Sequence, residues 1–431
     1  MALISRAHPQ LLPSDSILAR NVSWAFAGNV VYGLCQWGVL AAIARMGTPA
    51  TVGHFAYALA LTAPVILFAN LELRSVQATD ARGLASFAEY QATRGATTLI
   101  ALGAIALIVA ALRLESSLGA VTLFIAGAKA FEALADSLHG TLQQRERLDR
   151  VGQSQILRGL ASVAVVATVM RLSGSLVHAT AALALCWLAV LLAFDVGAVR
   201  RLQRQGGVPA WELPSLARVL ALVRRTLPLG VAALLTSLNA NIPRYVIEYH
   251  RGAADLGVFA ACAYVIVAGK ALTTALGQAL MPRLGVAHAR GDMDEFNRVI
   301  RSLVLIAVAV GGIGLLVALA FGRQLLGFLY GTHYSGAYWP FVVLMAAAVF
   351  GYAAPAAGAG LLSAGKFRTV SVFWIAIIVV TIVTSLALIP RFGLMGASAA
   401  VLASLATELT GGLYLLRRAV RQRPNPARAI A

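Results

Sequence analysis

Charged side chains are scarce. Asp, Glu, Lys and Arg make up 12% of the 431 residues, about half of the roughly 25% usual in a soluble domain. Acids are the scarcer kind, 17 against 35 basic residues, for a net charge of +18. With 59% hydrophobic residues and a mean hydropathy of +0.80, the chain cannot cover a water-soluble globule with polar surface. Cysteine is limited to Cys35, Cys186 and Cys262. They lie far apart inside apolar runs, which excludes a disulfide framework and zinc-ligand spacing. The histidines form no ligand pattern either. The first 20 residues hold no apolar core of a signal peptide, so the first helix is expected to remain as a span. A phosphate-binding loop is also missing. Gly360-Leu361-Leu362-Ser363-Ala364-Gly365-Lys366-Phe367 has the spacing, but Phe367 stands where a hydroxyl would hold magnesium, and the stretch closes an apolar run rather than following a strand. No cofactor or metal is expected.

What the chain does have is apolar segments of roughly 20 residues, the length of a helical span. They do not alternate over about ten residues, as barrel strands do. Helices satisfy every backbone polar group within one segment, as a bilayer requires. Spans are read near 22–44, 52–71, 95–112, 117–138, 154–172 and 178–199, then near 226–247, 255–280, 299–321, 338–362, 369–390 and 394–416. With the N-terminus inside, the arginines and lysines in or beside the connectors divide 26 inside to 6 outside. A missed helix would scramble that alternation downstream. Both termini are therefore expected in the cytoplasm. The same distribution argues against nucleic acid as the partner of the basic residues.

The two halves repeat. Val52-Gly53-His54-Phe55-Ala56 at the start of the second span matches Leu256-Gly257-Val258-Phe259-Ala260 at the start of the eighth. Arg200-Arg201-Leu202-Gln203-Arg204-Gln205 after the sixth matches Arg417-Arg418-Ala419-Val420-Arg421-Gln422 after the twelfth. The expected fold is an all-α polytopic membrane protein of about twelve transmembrane helices. Two six-helix lobes would be related by a pseudo-two-fold axis along the membrane normal, the parallel-repeat plan of many transporters. The expected parts are a cytoplasmic segment 1–20, a first lobe 21–199, a basic connector 200–225, a second lobe 226–416 and a basic tail 417–431. Such a plan leaves a cleft between the lobes.

An ionisable side chain near mid-bilayer costs about 2.5–3.5 kcal/mol on insertion scales, so it should face water or a partner. Lys129, Glu132, Asp136 and Gln143 share one face of the fourth span. Lys129 can pair with Glu132, which leaves Asp136 as an acid for a proton or cation; the alternative is an ion pair that fixes helix packing. Ser237, Asn241, Arg244 and Glu248 share a face of the seventh span, beside a helix-loosening Pro243. Arg244 has the planar fork that grips a phosphate with two hydrogen bonds, or it pairs with Glu248. Lys270, with Thr273 and Thr274, is a lone cation on the eighth span, too deep to snorkel. Asn29, Tyr32 and Gln36 on the first span suit either interhelical hydrogen bonds or ligand contact.

Lys129-Ala130-Phe131-Glu132-Ala133-Leu134-Ala135-Asp136 with Gly140, Gln143, Arg145, Glu146 and Arg147 resembles the Wzx-type oligosaccharide flippases. So do Asn70-Leu71-Glu72-Leu73-Arg74 with Asp80, Asn241-Ile242-Pro243-Arg244, Phe328-Leu329-Tyr330-Gly331 and Phe392-Gly393-Leu394-Met395-Gly396-Ala397. The resemblance runs from about residue 20 to 420 and rests on order and spacing. It implies membership of the multidrug/oligosaccharidyl-lipid/polysaccharide exporter superfamily in a bacterial inner membrane. The implied substrate is an undecaprenyl-diphosphate-linked oligosaccharide, delivered to polysaccharide polymerase machinery. A cleft for an anionic, polar head needs cations, and Arg244, Lys270 and Lys129 would supply them, with Asn241, Asn29 and Gln36 beside them. Asp136 and Glu132 would couple an ion. The alternatives are a cation-coupled drug antiporter of the same superfamily and a membrane polymerase or ligase. The latter would need catalytic groups on an external loop, and the loops here are short.

Overall fold

The computed structural model describes residues 15–80, 83, 85–206, 212–290, 292–363 and 367–421. The first lobe holds α1 (Asp15–Met46), α2 (Pro49–Asn70), the short α3 (Leu73–Ala78), α4 (Phe87–Ala111), α5 (Ser116–Gln144), α6 (Leu148–Ser173), α7 (Leu176–Val190) and α8 (Val196–Arg204). A π-helical turn, Leu191–Asp195, joins the last two into one rod. The second lobe holds α9 (Leu216–Arg251), α10 (Ala253–Arg290), α11 (Met293–Tyr330), α12 (Tyr338–Ser363) and α13 (Phe367–Arg421), with a 3-10 turn at Thr332–Ala337. No strand occurs among the described residues.

Ten helices among the described residues are long and apolar enough to cross a membrane. That count takes the last of the ten, Val372–Arg418, as one, although it bends back at Gly393 and contains two rods. It also leaves out α10, a 38-residue helix whose stretch Ala253–Ile266 is apolar. The rods also outrun the hydropathy estimates. α9 begins at Leu216 rather than near 226, so much of the basic 200–225 stretch is helix end rather than linker. Hydropathy senses only the part of a helix that lies in lipid, while backbone hydrogen bonding carries the helix on until a cap stops it.

Several caps are legible in the letters. Thr48 and Thr51 form a reciprocal capping box at α2, with Pro49 in the first turn. Ser86 and Glu89 do the same at α4, and the Asp292 side chain accepts from the Glu295 amide at 2.9 Å to start α11. Each pairs amides that a helix start would otherwise leave orphaned. Between the lobe ends, large apolar side chains such as Leu99, Ile100, Leu107, Leu185, Ile313, Leu316 and Val372 stand exposed, as lipid-facing positions of a membrane bundle must.

The α1–α2 and α9–α10 corners lie at one end of the bundle, the far end; the end of α8 and the start of α9 lie at the other, the connector end. The principal apolar core joins both lobes and draws on Leu40, Ile43, Val52, Phe55, Leu256, Phe259, Tyr330 and Phe341. Toward the connector end each lobe has its own core. Leu138, Leu142, Val151 and Val199 form one; Leu284, Phe296, Ile300 and Leu416 form the other. The start of α9 bridges there, with Leu222 against Leu71, Leu73 and Tyr90 and Arg218 paired to Glu89 at 2.7 Å.

The corner inside α13 explains one sequence motif. Gly393 takes a left-handed φ of 56°, and a Cβ on Gly396 would stand 2.2 Å from the Leu388 carbonyl oxygen. Phe392-Gly393-Leu394-Met395-Gly396 is thus a tight corner that lets two helices fold back on each other. Gly396→Val is expected to destabilise the protein by about 1–3 kcal/mol through overpacking. Thermal unfolding of the purified protein in detergent checks this, and an unchanged midpoint would contradict the corner's tightness.

Candidate functional site

Four polar groups lie within this apolar frame. The first joins α1 and α5. The Lys129 ammonium pairs with Glu132 at 2.8 Å, and the Tyr32 hydroxyl donates to the other Glu132 oxygen. Lys129 also stands 5.1 Å from the centre of the Trp187 indole, and the Arg158 guanidinium 5.8 Å from it. The indole thus takes two cations through its π system, while its N–H donates to Ser162 at 2.7 Å.

The second group is buried deeper. Asp195 is fully buried and ends the π-helical turn. It binds Arg158 at 2.8 Å and the His139 ring at 3.0 Å, and His139 also meets Ser154 at 3.3 Å. The extra residue of a π turn rotates the next helical segment relative to an unbroken α-helix, and here it brings Asp195 against α5 and α6. Sequence patterning does not announce this group. Its one signal is an acid inside the 178–199 span, whose partner Arg158 counts among the connector arginines.

The third group fixes the α2–α3 corner. Leu71 and Glu72 both adopt left-handed φ of 51°, a conformation that costs non-glycine residues on the order of 1–3 kcal/mol each. The bend buries Leu71 and Leu73 and aims Arg74 at Asp136 (3.1 Å) and Gln143 (3.2 Å). Arg94, also fully buried, reaches Asp136 at 3.4 Å and bonds Asn70. Asp136 is therefore held between two arginines, not left over once Lys129 has paired with Glu132.

The fourth group lies on α9. The Arg244 guanidinium donates to Asn241 at 2.9 Å, and the Asn241 amide donates to the Ser237 carbonyl at 2.8 Å. Asn239 sits on the opposite side of the helix and is tied into the second lobe through Thr381 and Ser404. Next to Arg244, the Tyr245 hydroxyl donates to the Ala60 carbonyl of α2, across to the first lobe. Arg244 is half-buried and makes no ion pair among the described residues. It does not pair with Glu248, one of whose carboxylate oxygens is buried without a partner.

The remaining expected residues divide. Asn29 is exposed and accepts from Gln155 at 3.0 Å. Gln36 is half-buried, and its Nε2 is a buried donor without a partner. Lys270 belongs to α10, but its side chain lies outside the described residues. The structure thus brings Lys129 and Glu132 together with Tyr32, and Asn241 with Arg244. Removing the Asp195 carboxylate would strand Arg158 and His139 in a dry interior. Asp195→Ala is expected to cost about 3–5 kcal/mol and Asp195→Asn less, read as unfolding midpoints in detergent. Equal midpoints for both variants and the parent would show the pair to be dispensable.

Residues 18–288 match the family model described as polysaccharide biosynthesis protein. The capsular polysaccharide biosynthesis protein CapF of Staphylococcus aureus is 26% identical over 406 residues, covering 93% of this chain and all of that protein. Among solved structures, a MOP-superfamily transporter from Pyrococcus furiosus superposes with a TM-score of 0.63 at 13% identity, over 94% of this chain and 95% of that one. An inward-facing multidrug-resistance MATE transporter of the same superfamily gives 0.64 at 15% identity, over 93% and 94%. At such identities the superpositions speak for the fold. The chain belongs to the polysaccharide biosynthesis protein family and is built on the two-lobed membrane fold of the MOP-superfamily transporters.

Proposed function

We propose that this protein flips an undecaprenyl-diphosphate-linked oligosaccharide from the cytoplasmic to the periplasmic leaflet of a bacterial inner membrane. The lobes would switch between openings to either side, both termini would be cytoplasmic, and the flipped unit would pass to polysaccharide polymerase machinery. The observation that carries the reading is Arg244. It is a half-buried guanidinium next to Tyr245, whose hydroxyl reaches the first lobe, and it is held by a neutral asparagine and by no carboxylate among the described residues. A structural cation in lipid is normally neutralised by an acid, as Arg158, Arg74 and Arg94 are here. A cation kept without one suits an anionic ligand, and the guanidinium fork matches a phosphate. The orphaned Gln36 amide offers a donor for a sugar hydroxyl. Lys270 would add a second cation from α10, and the prenyl chain can stay in lipid beside the lobes.

Glu132 and Asp136 are the groups through which an ion would bias the switch. Protonation of Glu132 would release Lys129 and the Tyr32 hydroxyl together, so two helices would change partners at once. The likeness in fold to transporters supports this reading over that of a polymerase or ligase.

In cells whose surface polysaccharide depends on this protein, Arg244→Ala is expected to lower surface polymer at least tenfold at an unchanged membrane level of the protein. Lipid-linked units should accumulate on the cytoplasmic leaflet. Normal surface polymer would remove Arg244 from the mechanism. Units trapped on the outer leaflet would point to a polymerase, and drug resistance on overexpression to an antiporter.

A further inference from the structure

The two tightest backbone approaches at the far end cross from one lobe to the other. A Cβ added to Gly53 on α2 would stand 1.8 Å from the Ala253 carbonyl oxygen of α10. A Cβ added to Gly257 on α10 would stand 1.9 Å from the Pro49 carbonyl oxygen of α2. Both obstacles are backbone atoms, which cannot swing aside as a side chain tip can. The two contacts are also reciprocal. Gly53 and Gly257 are equivalent in the internal repeat, and Pro49 and Ala253 are separated from them by the same sequence offset. Each small residue therefore meets the repeat-mate of its own neighbour one turn away, which is the contact rule of a two-fold axis. The close approach allows Cα–H donation to the facing carbonyls and a wide van der Waals contact, the means by which small residues join helices in lipid.

Two further contacts cross at the same end. Arg45, in the last turn of α1, donates to the Phe328 and Leu329 carbonyls that end α11. Its guanidinium lies 5.8 Å from the Phe328 ring centre. The last carbonyls of a helix have no partner within it and carry the negative end of its dipole, so a cation is well placed there. One residue on, the Trp37 indole N–H donates to the Tyr330 hydroxyl at 2.7 Å. Arg45 is thus a cap on a helix of the opposite lobe, which exists only while the far end is closed.

We infer that Gly53 and Gly257 form the seam of a far-side gate, and that Arg45 is the latch whose bonds to α11 set how often the gate opens. The inference rests on the two-lobe transport reading for its purpose but not for its test. The side of the membrane on which substrate leaves would be sealed at this seam by backbone against backbone. Opening would hand the Phe328 and Leu329 carbonyls, released by Arg45, to incoming water, which can satisfy them. That keeps the open state accessible.

Spin labels at exposed Ser117 and His333, one on each lobe at the far end, report the closure by pulsed electron resonance. Cys186 is replaced by serine in that background, and Cys35 and Cys262 are buried. The parent should show a dominant short separation. Gly53→Val and Gly257→Val should each shift the distribution to the longer one. Gly53→Ala should shift it in the same direction by less. Arg45→Ala should raise the long-separation fraction about tenfold, as expected for losing hydrogen bonds from a charged donor. If the valine variants do not fold, the Arg45→Ala and Gly53→Ala shifts decide the matter. Unchanged distributions in folded variants would overturn the gate, whatever the state of surface polymer. Shifted distributions with undiminished surface polymer would leave the gate standing and remove the export reading instead.

Discussion

The structure depends on the cost of placing charge where water does not reach. Ionised side chains inside a bilayer persist only with partners or with access to water, and the first lobe meets this condition several times over. Asp195 serves two groups, Arg158 and His139. Asp136 serves two more, Arg74 and Arg94. Glu132 takes Lys129 and the Tyr32 hydroxyl. Each acid lies between helices and draws them together, so the few acids in the chain act as internal ties. The same constraint makes Arg244 informative. It lies at the lobe boundary with a neutral neighbour, where the first lobe's structural arginines have carboxylates.

A second constraint comes from the absence of a hydrophobic force between helices in lipid. Under the proposed transport cycle, lobes that part cannot be joined by large apolar surfaces along their whole length. Here the shared core is concentrated toward the far end; toward the connector end the larger cores belong to one lobe each, and the start of α9 adds a small bridge to the first lobe. Where the lobes meet most tightly, glycines bring backbone to backbone, and the contact is symmetrical because the repeat is. The arrangement gives two bodies, each with a core of its own, that share a larger one.

Much of the fold was legible in the letters. The apolar segments located the helices, the basic residues suggested their alternation, and Val52-Gly53 against Leu256-Gly257 revealed the repeat. Lys129 and Glu132 met because a three-residue step puts two side chains next to each other on one helix face. The boundaries were less legible, since a helix such as α9 runs on past the lipid into a stretch whose composition reads as linker. The Arg74–Asp136–Arg94 cluster was half visible: the acid stood out, but its partners come from the α2–α3 corner and from α4, and nothing in the spacing announces a corner made by two left-handed residues. Asp195 was invisible as a partner for the same reason. Its position depends on one added residue in a π turn, which composition does not encode.

The amino-acid sequence alone settled that this is a helical membrane protein in two repeated halves, with cations that need an explanation. That much comes from hydropathy, from charge distribution and from helical periodicity, all of which are local. Which acid neutralises which arginine, which arginine has no acid among the described residues, and where one lobe touches the other were decided only when helices distant in the chain came together. Those facts depend on the relative rotation and depth of packed rods. Only the assembled interior sets these, because one residue of slip moves a side chain by about 100° around its helix.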